Sequence, residues 1–311
     1  MAKTFLTFDQ LIAYLEDEKQ LLVSDHEYAK SMLKRIGYFG LISGYKTPFK
    51  NPTTKKYRAG TSFEDIVALY KFDENLRELF LKYIFQIERH IRSLIANHFT
   101  EKYGEDQSHY LDINHYYNIP RNRSDISRLI HELDKLANHT SDYPYINHPR
   151  ITYNNVPLWV VINGVTFGTL SKLYSLLTQD IRIKVSKNFD RVNEKQLAQY
   201  LVVITKFRNV CAHNERLYSY RTKDNIPNTV LHQKLNIPLK GTQYIYGKQD
   251  LFALVIAFRY LLPNEDFVKF KNQLSRIIKY YLSSSGFINE SQLHEMMGFP
   301  SNWTKITQYK K

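Results

Sequence analysis

Apolar side chains return at three- and four-residue spacing along most of this chain, which is the period of an α-helix. The clearest run extends from Thr61 to about Tyr103, with Leu76, Leu79, Phe80, Tyr83, Ile84, Ile87, Ile91, Leu94, Ile95 and His98 recurring on one face. Thr61 and Glu64 have capping-box spacing: the Thr hydroxyl takes the Glu64 amide and the Glu carboxylate returns to the Thr61 amide. Gly104 supplies the stop. The pattern leaves room for a break between Phe72 and Asn75, while its second half predicts one long core helix.

Upstream, Phe8 to Glu18 and Asp25 to Ile36 predict two amphipathic helices, the second opened by Ser24 or Asp25 as cap. Lys46 to Gly60 is polar, carries Pro48, Pro52 and four lysines, and predicts a surface loop. Ser124 to Asn138 predicts a helix, after which Pro144, Pro149 and Pro157 bracket a loop. Leu158 to Leu177 is apolar enough for a helix buried on most sides, with Gly164 and Gly168 one turn apart to let a neighbour approach. A further long helix is predicted from Asn193 to about Tyr218. From Arg221 to Gly247 the pattern fails, and Pro227, Pro238 and Gly241 among short β-favouring runs fit a loop or small hairpin near 225–247. Asp250 to Leu262, Asp266 to Leu282 and Glu290 to Met297 return to the helical period. The expected class is all-α, as one helical domain over 1–311, with N-terminal helices to 60, a core over 61–220 and a C-terminal extension over 221–311.

Composition then narrows the chemistry. With 311 residues, 43% hydrophobic and 23% charged, the chain is apolar enough to fold and not to be disordered. Its 11 glycines, about half the usual share of roughly 7%, argue against Gly-rich nucleotide loops and many-turned β folds. One cysteine, Cys211, excludes an internal disulfide framework and a thiolate-cluster zinc site, so a reducing compartment, the cytoplasm, is expected. Cys211 itself reads as a small core residue. The opening MAKTFLTFDQ lacks the apolar region of a signal peptide. Ile151 to Ser171 is the longest uncharged run, but Asn154, Asn155, Pro157 and Asn163 make it too polar to span a bilayer, so no membrane is expected. His109 and His115 have neither a Cys partner nor an HExxH frame, so neither metal nor cofactor is expected. The net charge of +13 favours a polyanionic partner.

The predicted helix from Asn193 ends in the string RNVCAHNERLY, Arg208 to Tyr218. Leu197, Tyr200, Leu201, Ile204 and Cys211 define its core stripe, against which Arg208, Asn209, His213 and Arg216 form a polar cluster. Asn209, His213 and Arg216 follow at steps of four and three and share a face with Thr205. Arg208 lies five residues before His213, about 140° round the helix, so one helix alone does not aim both at one point. Either the long Arg stem reaches around, or a second subunit brings its copy across a two-fold axis, which predicts a homodimer with a composite site. Guanidinium groups grip phosphate oxygens bidentately, and imidazole as a class titrates near neutrality and moves protons. Such groups suffice to cleave RNA without a metal, because the 2′-OH of the substrate is the nucleophile. Between 201 and 240, Lys206, Arg208, Arg216, Arg221, Lys223, Lys234 and Lys240 face only Glu215 and Asp224, a local excess of positive charge that suits a phosphate backbone. Tyr116, Tyr117, Tyr218 and Tyr220 are candidates for stacking unpaired bases, with helix packing as their plainer role.

The run Arg208, Asn209, Val210, Cys211, Ala212, His213 resembles the RX4H motif of the HEPN superfamily. In this form, followed by RL and an aromatic, it is similar to the Abi family, the AbiD/AbiF-like abortive infection proteins of bacterial anti-phage defence. RIGYFGLISGY at 35–45, SFEDIVALYKFDENLRELFLKYIFQIERHIRSLI at 62–95, PLWVVINGVTFGTLSKLY at 157–174 and GFPSNW at 298–303 resemble that family in order and spacing. The resemblance implies a HEPN helical bundle, a dimer, and endoribonuclease activity that arrests infected cells. It makes Arg208 and His213 the motif pair and Asn209 the polar residue beside the Arg, with Lys206, Arg216, Arg221, Glu88 and Arg92 as candidates for RNA binding or support. One position departs: Glu is expected four residues after Trp159, and Asn163 stands there.

Two other readings are distinct in chemistry. A binding module would hold structured RNA or a partner protein through the basic surface without cutting. The HEPN partner of a nucleotidyltransferase antitoxin would carry a tyrosine two residues after the motif His, where this chain has Glu215. A basic ribonuclease also needs restraint, so an inhibitory RNA or small protein antitoxin is an expected partner.

Overall fold

The computed structural model describes residues 4–139, 142–284 and 286–311. Met1–Lys3, part of the N-terminal stretch read above, lie outside the described residues. In chain order the helices are α1 Phe8–Asp17, α2 His26–Ile36, α3 Phe63–Tyr103, α4 Gln107–Leu111, α5 Arg123–Asn138, α6 Pro144–Tyr153 and α7 Leu158–Val161. They continue as α8 Phe167–Leu176, α9 Gln179–Ser186, α10 Glu194–Ala212, α11 Val230–Lys234, α12 Leu251–Leu261, α13 Asn264–Ser284 and α14 Glu290–Met297. Two-residue strands β1 Leu239–Lys240 and β2 Gln243–Tyr244 pair antiparallel around Gly241, which takes a φ of +62°. At 66% helix the class is all-α, and the hairpin falls inside the stretch expected to hold one.

The long helix α3 organises the rest, with α7, α9, α10 and α13 packed along it. It starts one residue later than the capping-box reading: Ser62 is the N-cap and exchanges bonds with Asp65. Thr61 is instead buried and donates its hydroxyl to Arg58 O at 2.7 Å. The shift arises because Leu22 bridges this strand-like entry, giving its amide to Thr61 O and taking that of Phe63. No break occurs between Phe72 and Asn75. Asp73, which interrupts the apolar pattern there, is buried and paired with Arg77 one turn on.

Three further elements depart from expectation. The segment bracketed by prolines forms α6, with Pro144 at its first turn, where a missing amide costs nothing, and Pro149 inside. The helix expected over Leu158 to Leu177 is two helices, because Ile162–Val165 turns and Thr166 caps α8 by accepting the Thr169 amide at 3.1 Å. Gly164 lies in that turn, where a Cβ would stand 3.1 Å from Ile146 of α6. The glycine serves a turn against α6 and not a helix–helix seam. Finally, α12 is buried on every side rather than one, Arg259 included. Phe258 of α12 meets Phe80 and Tyr83 of α3 and Phe270 of α13, and Phe270 stands edge-on to the other three rings at 5.0–5.2 Å. Such an aromatic knot buries much apolar area per residue, which ties the C-terminal helices to α3. Among the described residues no helix is long and apolar enough to cross a membrane.

Candidate functional site at the end of α10

The motif string closes α10. Leu197, Tyr200, Leu201, Ile204, Phe207, Val210 and Cys211 are buried, as the core stripe requires. Asn209 and His213 are exposed and Arg208 is half-buried. Among the described residues the Arg208 Nε atom is enclosed without a hydrogen-bond partner.

The helix stops at Ala212, six residues short of the predicted end. His213 is the C-cap, Asn214 takes the left-handed conformation at φ +56°, and the Glu215 amide folds back to Val210 O at 3.0 Å. With Asn214 N bonded to Cys211 O at 3.3 Å, this is a Schellman ending. The sequence signal was Asn214, since Asn tolerates the left-handed region better than most residues. The shared face expected for Asn209, His213 and Arg216 therefore holds only for the first two. Arg216 leaves the helix and donates to Gly44 O at 2.7 Å.

What holds this ending in place was missed in the sequence. Asp73, at 0% exposure, accepts the Tyr45 hydroxyl at 2.7 Å, Arg77 Nη1 at 2.9 Å, and the backbone amides of Leu217 at 2.9 Å and Tyr218 at 2.6 Å. Arg77 Nη1 also reaches Tyr45 Oη at 3.0 Å and Glu215 O at 3.4 Å. Burial raises the Asp73 carboxyl, while Tyr45, Arg77 and the two amides draw it back down. The node thus clamps the segment after the motif to the first half of α3 and to the π-turn Phe39–Ser43 that delivers Tyr45. Its trace in the sequence is an Asp and an Arg one turn apart where the apolar pattern falters.

Glu88 and Arg92 stand elsewhere on α3. Arg92 donates to Glu88, to Ile162 O and, at 2.8 Å, to Val165 O, so the pair pins the turn between α7 and α8. None of these bonds reaches Arg208 or His213. Glu88 Oε2 is buried without a partner among the described residues. Beside the pair lies a cleft of about 740 Å³ lined by Arg89, Arg92, Asn97, Thr100, Trp159 and Asn163. Trp159 is 48% exposed there. Asn163 gives its amide nitrogen to Trp159 O at 2.7 Å, and its carboxamide brings no charge to the cleft.

The remaining candidates divide. Lys206 is exposed on α10. Arg221 is tied to the buried Asp250 at 3.2 Å. Tyr116 and Tyr218 are buried and offer no stacking face, because each fills the core beside α3; Tyr117 is exposed and Tyr220 partly so. Burial pushes the Cys211 thiol up to about 12, which suits a packing role. Among the described residues no group of three or more His, Cys, Asp or Glu could hold a metal ion.

A family model described as Abi-like protein matches residues 31–219, from α2 through the motif to the segment held by Asp73. No curated protein and no solved structure matches the chain. By that match over more than half its length the chain belongs to the Abi-like protein family, which ties it in general terms to abortive infection, the defence of bacteria against phage.

Proposed function

We propose that the protein is a metal-independent endoribonuclease of the HEPN type, AbiD/AbiF-like, acting as a homodimer to arrest infected cells. The observation that carries the proposal is the placing of the RX4H residues. Asn209 and His213 reach solvent at a helix end that is fixed by a Schellman turn and by the Asp73 node, and the half-buried Arg208 precedes Asn209 on the same helix.

In this reading His213 removes the 2′-OH proton of the substrate. The 2′-oxygen bonds to phosphorus, the bond to the 5′-oxygen breaks, and that oxygen takes a proton. A 2′,3′-cyclic phosphate and a 5′-hydroxyl end result. The Arg208 of a second copy, brought across the two-fold axis to this His213, offsets the charge that builds on the phosphoryl oxygens, and Asn209 orients one of them. Glu88, Arg92, Lys206, Arg216 and Arg221 support or steer the strand. An inhibitory RNA or small protein antitoxin restrains the enzyme before infection.

Incubating the wild type and the Arg208→Ala/His213→Ala variant with total RNA in EDTA tests this. Cleavage by the wild type alone, leaving cyclic phosphate ends, is the expected result. A second reading, an RNA-binding module that does not cut, is favoured by Asn163, which supplies no carboxylate where Glu is expected. RNA retained intact by both proteins would decide for it.

A further inference from the structure

Arg216 donates to Gly44 O at 2.7 Å, and Tyr45 is bound to Asp73, so Gly44 and Tyr45 lie against the segment that follows the motif. From there the chain enters 46–58, which carries Lys46, Lys50, Lys55 and Lys56. This loop is built, not slack. Phe49 and Tyr57 are buried anchors, and Asn51 N bonds Lys56 O while Arg58 N bonds Phe49 O, both at 2.9 Å. The Asn51 side chain accepts the amides of Thr53 at 2.9 Å and Thr54 at 3.2 Å. Lys19 joins the same corner, where its carbonyl takes the Tyr57 amide at 2.8 Å.

Among the described residues none of these five lysines forms an ion pair, although Asp17 and Glu18 stand exposed just before Lys19. Burial, and then the charges of Lys46, Lys19 and Lys55, hold the Lys50 ammonium below its usual range. Like charges fixed on an ordered loop and paired with no carboxylate repel one another in the free protein and favour a polyanion that neutralises them. Arg216 joins the segment after the motif to Gly44, just before this loop, so a strand leaving the motif end can run on to the lysines.

We infer that the loop 46–58, with Lys19, is the track for the phosphate backbone of a single-stranded RNA whose scissile region lies at Arg208 and His213. The inference rests on the RNA reading above and adds where the strand runs. Association would depend steeply on salt, because each neutralised phosphate releases counterions, with a slope of about 0.7 per contact for single strands.

The test uses the full chain with Arg208→Ala/His213→Ala, so that bound RNA stays intact, and compares it with the same chain carrying Lys46→Gln, Lys55→Asn and Lys56→Gln. Asn suits position 55, where φ is +61°. The probe is a fluorescein-labelled single-stranded RNA of roughly 16 nucleotides. Its affinity is read from about 50 to about 200 mM salt. The loop variant should bind about 10-fold more weakly at the low end, with a salt slope shallower by about 2. Unchanged affinity and slope overturn the track and leave the ribonuclease reading standing. A parent that binds no RNA, with a wild type that cuts none, overturns both. Loss of binding to phosphatidylserine vesicles with RNA binding intact overturns the track in favour of a membrane surface. Lys56→Gln alone, at an exposed site, repeats the measurement with a slope change of about 0.7 if the triple variant loses its fold.

Discussion

The carboxylate of Asp73, in the first half of α3, accepts the backbone amide of Tyr218 at 2.6 Å, just beyond the motif helix. Asp73→Ala would leave Arg77 buried without its counter-charge and two amides unmet. A loss of about 3–5 kcal/mol in denaturant unfolding is expected. Tyr45→Phe removes one hydroxyl from the same node and should cost about 1 kcal/mol. A loss below about 1 kcal/mol for Asp73→Ala would show that the clamp is dispensable.

If the site is composite, subunits can complement one another. Arg208→Ala should lower cleavage by about 10²–10³-fold and His213→Ala by about 10²–10⁴-fold. Mixing and refolding the two inactive proteins restores one intact site in each mixed dimer, or about a quarter of wild-type activity under random pairing. No recovery on mixing means that Arg208 and His213 act within one chain. Arg208→Lys keeps the charge but not the fork that grips two oxygens, and should still lose at least about 10-fold.

His232 and Asp250 meet at Gly247 and respond to acid in opposite directions. Gly247 O can only accept, so His232 Nε2 carries the proton it donates at 2.9 Å, and Nδ1 accepts the Thr229 amide. Burial lowers this imidazole from 6.5 to about 4. Between those values the unfolded chain takes up a proton that the fold refuses, so stability is lost as pH falls. Burial raises Asp250 from 3.8 to about 6, against the pull of Arg221, and there the fold holds a proton that the unfolded chain has shed. That contribution grows as pH falls. Melting temperatures across about pH 4–7 should therefore drop more steeply in Asp250→Asn than in wild type, and less steeply in His232→Gln. Parallel curves for all three proteins would refute the assignment.

Cys211 faces the core with its thiol pushed up to about 12. A disulfide exchange reagent should label it only as the protein unfolds in urea, since the attacking species is the thiolate. Cys211→Ala should leave RNA cleavage within about 2-fold and cost on the order of 1 kcal/mol of stability. Prompt labelling of the native protein would place the thiol at a surface.

The elements whose period rests on local sequence alone were legible in it. Helices α1 and α2 fall where the period placed them, with Asp25 as the cap of the second, Glu290–Met297 is α14, and the second half of α3 is a continuous core helix. The motif residues were legible as well, because a polar cluster against an apolar stripe shows in spacing. Less visible was anything that depends on partners far along the chain. Asp73 looked like a break because its four donors come from residues 45, 77, 217 and 218, which only the fold assembles. Pro149 looked like a loop marker, yet α6 forms around it because Pro144 starts the helix and Asn154 ends it.

The amino-acid order alone decides the all-α class and the face that α10 buries, since both follow from a period of 3.6 residues, while the pairing of Arg208 with His213 is what the resemblance of the motif implies. Only the tertiary structure decides that Asp73 meets the amides that follow α10 and that Arg216 turns away to Gly44, just before the lysine loop. Those outcomes depend on buried polar groups finding donors and acceptors across long separations, and a buried group that must be satisfied overrides local preference.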